Sequence, residues 1–386
     1  MLLLNCFLDT YEYANSDVLA LSKSKINPIR CQPRGLRVSL VRLATAIAKT
    51  QHCQPLKRFV LPFVVLEQIS ALQRHMVSHA TGAERNLRLN ERFFGKYGLR
   101  DFSKTSTIGE YAQGLSFLFA QDCLKVPALV DFDHFSDTTG VPRITSNLSK
   151  PDFVGCQNSR GYWLIEAKGN LESTSIKTEL RKGVGQCELG AAHLIKSGLT
   201  APQKSFTTLV SFRDQKSSNQ TRLCYVDPEF PDDGRPFNTA QFLRNYYEDV
   251  IRALGFLGYI GDVWDNPDAA FSHNVFEESG VAYYRIFTND SDRAVIPPPR
   301  RTPCFNPRGY YISGVSRDVI NALAKRDVEA FFALIPSFDS QVESLNLKMQ
   351  ATDATVDLWE APETFIDGTF VHYEMSIPHL IDYLGL

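Results

Sequence analysis

Lys150-Pro-Asp-Phe-Val-Gly-Cys-Gln-Asn-Ser-Arg-Gly-Tyr-Trp-Leu-Ile-Glu-Ala-Lys-Gly169 reads as a β-hairpin with chemistry at its open end. Two short strands, 152–157 and 162–167, flank Asn158-Ser-Arg-Gly161, a run of turn-forming residues. The second strand begins apolar (Tyr162, Trp163, Leu164, Ile165) and becomes charged only at its exit. Pairing across the turn sets Asp152, which opens the first strand, beside Glu166, which ends the second. Residues two apart in a strand share a face, so Lys168 stands next to Glu166. Phosphodiester hydrolysis needs such a set. Paired acids hold a hard divalent cation that neutralises the phosphate and acidifies bound water, while a lysine steadies the attacking oxygen. Glu-x-Lys alone is a weak signal, expected roughly once by chance at average residue usage. Pro151-Asp152 at hairpin distance gives it weight. Asp214-Gln215-Lys216 also follows an apolar strand, but it has no such acid upstream and runs into a polar loop.

Outward from the hairpin, 108–122 is predicted as a helix with Thr107 as N-cap and Glu110 in its first turn. A strand over 126–131 and a loop rich in Asp, Thr, Gly and Ser follow. Beyond the hairpin come a helix over 176–196 carrying Arg181, Lys182 and Gln186, strands over 206–212 and 222–226, and a helix over 239–257. The order helix, strand, hairpin, helix, strand predicts an α/β core over 101–260, with a mixed central sheet flanked by helices. Residues 1–100 read as a mostly helical region, with apolar spacing over 35–51 and 56–79 and Pro62 marking a kink or late start. His75 and His79 would share a polar helix face there, with no HExxH pattern or third ligand to make a metal site. Residues 261–386 form an acidic accessory region, with a proline-stiffened connector over 296–303, a helix over 315–335 and short strand-like or loop-like pieces.

The bulk composition excludes several classes. The 386 residues are 44 % hydrophobic and 22 % charged with net charge −2, which is globular composition without a global polycation for nucleic acid. Local charge is uneven: nine bases and no acid lie between Val18 and Leu66, a candidate phosphate-facing segment, against eleven acids and one base from Asp327 to Leu386. The eight cysteines form no CxxC pair, which fits reduced thiols in a cytoplasmic protein rather than a zinc ribbon or disulfide scaffold. The N-terminus lacks a basic n-region, so no signal peptide is expected, and no apolar run is long enough to span a membrane. No GxxxxGK[ST], HExxH or GxSxG competes with the hairpin.

Pro151-Asp152 followed by Glu166-Ala167-Lys168 resembles the signature of the PD-(D/E)XK nuclease superfamily, and the resemblance covers about 108–226. It implies a restriction-endonuclease-like core in which Asp152, Glu166 and the carbonyl of Ala167 bind Mg²⁺ (Mn²⁺ able to substitute) and Lys168 is the catalytic lysine. Glu110 matches the helix glutamate that many members add to the metal site. A first-turn glutamate stabilising its helix is the alternative. Gln186 matches the helix glutamine of exonuclease-like branches, where it would contact the nucleophilic water or a phosphate. That branch usually carries an aromatic four residues later, whereas this chain has Gly190. Arg181 and Lys182 are candidate nucleic-acid contacts, with solvent-facing bases as the alternative. The implied activity is a Mg²⁺-dependent DNA endonuclease, with a bacterial defence or restriction role as a setting. The alternatives are an RNase or exonuclease with the same site, and a non-catalytic nuclease-fold subunit that binds nucleic acid or scaffolds a complex. A regulatory protein partner or homo-oligomer is expected, because an unrestrained nuclease is hazardous.

Overall fold

Alternation of buried and half-exposed residues along Cys6–Glu12 makes the first element a strand, β1, one of nine in a single sheet. The computed structural model describes residues 6–20, 28–51, 61–81, 84–94, 99, 101–144, 150–171, 175–228, 230, 235–256, 258–272, 274–288, 309–351 and 361–375. The expected 296–303 connector lies outside them. After β1 come α1 (Asn15–Leu19), β2 (Ile29–Val38), α2 (Leu40–Gln51), α3 (Leu61–His75), β3 (Met76–Thr81), β4 (Glu84–Leu89) and α4 (Glu91–Phe94). Next are α5 (Asp101–Asp122), β5 (Ala128–Asp131), α6 (Phe132–Thr139), β6 (Phe153–Asn158), β7 (Gly161–Leu171), α7 (Ile176–Lys196), β8 (Lys204–Phe212), β9 (Arg222–Val226) and α8 (Thr239–Ala253).

The sheet runs β3-β4-β1-β9-β8-β7-β6-β5, with β2 paired to β1. β5, β6 and β7 are antiparallel neighbours, β7 and β8 run parallel through the α7 crossover, and β9 returns antiparallel. This is a mixed α/β architecture, and the elements expected between 108 and 226 all form. The first hundred residues depart from expectation. They hold four strands as well as helices, and all four join the sheet. The apolar spacing over 56–79 ends in a helix only as far as His75, because Met76 begins β3 and pairs with Leu89. Pro62 marks the late helix start. Residues 1–55 and 63–249 form one compact unit, while 56–62 and 250–386 form another.

Helices cover both faces of the sheet around β7 and β8. Thr208 of β8 shares a 2.6 Å hydroxyl hydrogen bond with Ser116 of α5. Thr207, on the opposite face, lies under Gly183 of α7, where an added Cβ would come 2.2 Å from its methyl group. Glycine at 183 therefore lets α7 approach the sheet closely. Behind α5, the fully buried Arg42 of α2 forms an ion pair with Asp122 at 2.5 Å, and its Nε donates to the same carboxylate. Arg37 is also buried, so two bases of the segment expected to face phosphate instead lie inside the protein.

The second unit contains α9 (Ile260–Asp265), α10 (Pro267–Ala270), β10 (Val275–Glu278), β11 (Val281–Thr288), β12 (Gly309–Ser316), α11 (Arg317–Ala324), α12 (Val328–Ala351), β13 (Ala361–Thr364) and β14 (Thr369–Met375). Its strands form an antiparallel sheet in the order β10-β11-β12-β14-β13. The helix expected over 315–335 is two helices, because β12 runs to Ser316 and Arg326 takes a positive φ of 55° between α11 and α12. Among the described residues no helix is long and apolar enough to cross a membrane.

Removing one partner of a buried ion pair strands the other charge, typically at a cost of about 3–5 kcal/mol. Asp122→Ala is therefore expected to lower the unfolding free energy by about that amount in denaturant titration. A loss below about 1 kcal/mol would show that the Arg42 pair is not a structural anchor.

Candidate active site

The hairpin brings its two acids together as its register requires. Phe153 pairs with Ile165 and Val154 with Leu164, so the same register sets Asp152 opposite Glu166. The N–H of Asp152 donates to the Ile165 carbonyl at 3.1 Å. A two-residue turn closes the other end, where Asn158 Oδ1 accepts from the Arg160 N–H at 2.8 Å.

Each oxygen of Asp152 is held. Oδ2 accepts from the Ala167 N–H at 2.8 Å, and Oδ1 accepts from Gln113 Nε2 of α5 at 2.9 Å. Burial raises the pKa of Asp152, and these hydrogen bonds oppose the rise. Glu166 is 2 % exposed. Burial first, and then the neighbouring Asp152 charge, push its pKa from an ordinary 4.5 to about 9. Its Oε1 pairs with Lys168 Nζ, whereas Oε2 is buried without a hydrogen-bond partner. Lys168, 23 % exposed at its side chain, is the part of the group that reaches towards solvent.

These donors fit a hard divalent cation. Two carboxylates crowd together in a buried place, one has an orphaned oxygen, and hard cations take oxygen ligands. The Ala167 N–H points towards Asp152, and a strand residue directs its C=O to the same side as its N–H. The Ala167 carbonyl thus faces the same place as the two acids. Among the described residues no group of three His, Cys, Asp or Glu side chains could hold a metal ion. Two acids and a carbonyl are the set offered, with water for the remaining positions, which is how Mg²⁺ is commonly bound.

The other expected site residues fare differently. α5 begins at Asp101, seven residues before the expected Ile108, so Thr107 is no N-cap and Glu110 is not in the first turn. Glu110 is half-buried, accepts a hydrogen bond from Ser106 and feels Glu67 of α3. The side chain that α5 delivers to Asp152 is Gln113, one turn further on. A carboxamide carries no metal signature, so nothing in its spacing singles it out. Gln186 does not reach the acids, because its Nε2 donates to the Lys150 carbonyl at 3.0 Å. It ties α7 to the chain just before Pro151-Asp152. Gly190 explains the missing aromatic: a Cβ there would lie 2.5 Å from Pro151 Cδ, so α7 packs directly on that proline.

Arg181 is not free for phosphate. Its guanidinium donates to the carbonyls of Val18, Leu19 and Ala20 at the end of α1, where a cation complements the helix dipole. Lys182 is exposed and pairs with Glu179 at 2.8 Å. The competing Asp214-Gln215-Lys216 is a turn, since Asp214 Oδ1 accepts from the N–H groups of Lys216 and Ser217. His75 ends α3 and shares a 2.7 Å hydrogen bond with Tyr111, while His79 lies in β3, so the two share no helix face.

Compared with known proteins, the chain matches no protein-family model, no curated protein and no solved structure.

The raised pKa of Glu166 sets a sign for stability. Between its ordinary 4.5 and about 9, the metal-free folded protein keeps a proton that the unfolded chain has released. Stability conferred by that proton is present at low pH and is lost as pH rises through the window, by up to about 1.4 kcal/mol per pH unit. Thermal melts in chelator from pH 5 to 9 are therefore expected to descend. A transition that stays level or climbs would contradict a buried, proton-holding Glu166.

Proposed function

We propose that this protein is a Mg²⁺-dependent nuclease of the PD-(D/E)XK type, acting on DNA as an endonuclease. The observation that carries the reading is the buried meeting of Asp152 and Glu166, with Lys168 on one oxygen of Glu166 and the other left orphaned. The order α5, β5, α6, β6, β7, α7, β8, with β7 and β8 parallel, supports a restriction-endonuclease-like core around that group.

Bound Mg²⁺, or Mn²⁺ in its place, supplies charge neutralisation at the scissile phosphate and lowers the pKa of a coordinated water. Asp152, Glu166 and the Ala167 carbonyl would hold it. The Ala167 N–H and the Gln113 amide each hold one oxygen of the Asp152 carboxylate and so fix its orientation. Lys168, whose ammonium pairs with Glu166 Oε1, would donate to the attacking oxygen and balance its charge. Gln186 sets the position of the segment entering Asp152 through the Lys150 carbonyl. In this reading it is a positioning residue. A defence role and a regulatory partner belong to the same proposal as the setting for such an enzyme.

The test is cleavage of supercoiled plasmid in Mg²⁺ or Mn²⁺. The wild type is expected to cut, and Asp152→Ala and Lys168→Ala to lose about 10²–10⁴-fold in rate. Equal nicking by all three proteins would overturn the assignment, and cleavage of RNA alone would change the substrate. Gln113→Ala is expected to raise the half-saturating cation concentration about 10–100-fold, the usual cost of removing a group that orients a ligand. An unchanged cation requirement would show that the Gln113 hydrogen bond does not orient Asp152.

A further inference from the structure

Arg213 follows directly on β8 and is 9 % exposed, yet its Nε and Nη1 are shielded with no hydrogen-bond partner. No carboxylate among the described residues forms an ion pair with it. A buried N–H left unsatisfied costs on the order of 1–3 kcal/mol, and more on a charged group, so such an arginine calls for a reason. Loose backbone is not the reason. The Arg213 N–H donates to Thr221 Oγ1 at 3.0 Å, and its carbonyl accepts from the Leu89 N–H at 2.8 Å. The guanidinium is therefore presented by a fixed strand end.

A second guanidinium stands close by. Burial pushes the Cys224 thiol up to about 11, and Arg222 and Arg213 are cations that oppose the rise, so both lie near one thiol of β9. Arg222 is in register with Ser211, two residues before Arg213, and sits over the Tyr11 ring at 5.8 Å. Asp9 of β1 is in register with Arg222.

We infer that Arg213, backed by Arg222, is an anchor for a phosphate group. The planar fork of a guanidinium matches two oxygens of one phosphate, and a charge-assisted bidentate pair of this kind repays burial that a lone cation does not. Glu166 is in register with Thr207, six residues before Arg213, on strands that run parallel. That separation is about 20 Å along the strand, roughly six phosphate steps of one strand of duplex DNA. A phosphate of the strand being cut, flanking the cleavage position, fits that distance. Only this last identification rests on the nuclease reading.

The test uses the full chain in chelator, so that nothing is cleaved. Thermal melts are recorded with inorganic phosphate and with a short single-stranded oligonucleotide, for wild type and Arg213→Met. The anchor predicts that at least one probe raises the wild-type Tm, that the variant without probe melts at or above the wild type, and that its rise with probe is lost. A rise with the oligonucleotide alone identifies a nucleic-acid phosphate, and a rise with inorganic phosphate alone identifies a free one. A destabilised variant that keeps the full rise overturns the anchor, as does a wild type that responds to neither probe. As a second measurement, oligonucleotide binding against salt is expected to lose about 0.7 from its log–log slope in Arg213→Gln, one phosphate contact on a single strand. An unchanged slope contradicts a strand contact. A wild type that binds through Arg213 yet cuts no nucleic acid would retain the anchor and remove the nuclease reading.

Discussion

Two acids buried against each other cannot both ionise, so in the metal-free protein Glu166 keeps a proton beside the Asp152 carboxylate. That cost of holding Asp152 and Glu166 together is the constraint the surrounding groups answer. Three groups answer it in the metal-free protein: the Ala167 N–H, the Gln113 amide and the Lys168 ammonium. They come from β7 and α5, so the group exists only when the hairpin, the helix before it and the parallel strand beyond it are all in place. Glu166 still keeps an orphaned oxygen and a raised pKa. A divalent cation, as proposed, would relieve both, which would make the same feature costly without metal and useful with it.

The surrounding packing serves that arrangement. Gly183 lets α7 descend onto Thr207 and Glu166, and Gly190 lets the same helix press on Pro151. Thr208 donates to the Glu166 carbonyl at 3.1 Å while sharing a hydrogen bond with Ser116, which locks β7 to β8 and both to α5. The acids are thus fixed from both faces of the sheet. Fixed donors lose little freedom when they bind, so in the proposed site two acidic side chains would suffice to hold a cation.

Much of this was legible in the sequence because the decisive elements announce themselves locally. Turn chemistry at Asn158–Gly161, the apolar run Tyr162–Ile165 and the helical spacing after Ser175 depend on neighbours along the chain. What was not legible depends on distant partners. The strands of the first hundred residues form because β1 pairs with β9 and β4, and Met76 continues a helical spacing equally well as the first residue of a strand. Gln113 gains its role only from where α5 lies. Arg181 looks like any exposed base on α7 until α1 places three carbonyls beside it. Glu110 carried the expected chemistry, but its neighbours are Ser106 and Glu67 rather than Asp152.

The central claim is that Asp152 and Glu166 form a cation site, and calorimetric titration of Mn²⁺ into the metal-free protein tests it most directly. The account predicts saturable binding that Glu166→Gln and Asp152→Asn each weaken by at least about tenfold, with proton release from the wild type at neutral pH as the cation displaces the proton on Glu166. Binding of equal strength in all three proteins, or no saturable binding to the wild type, would contradict it.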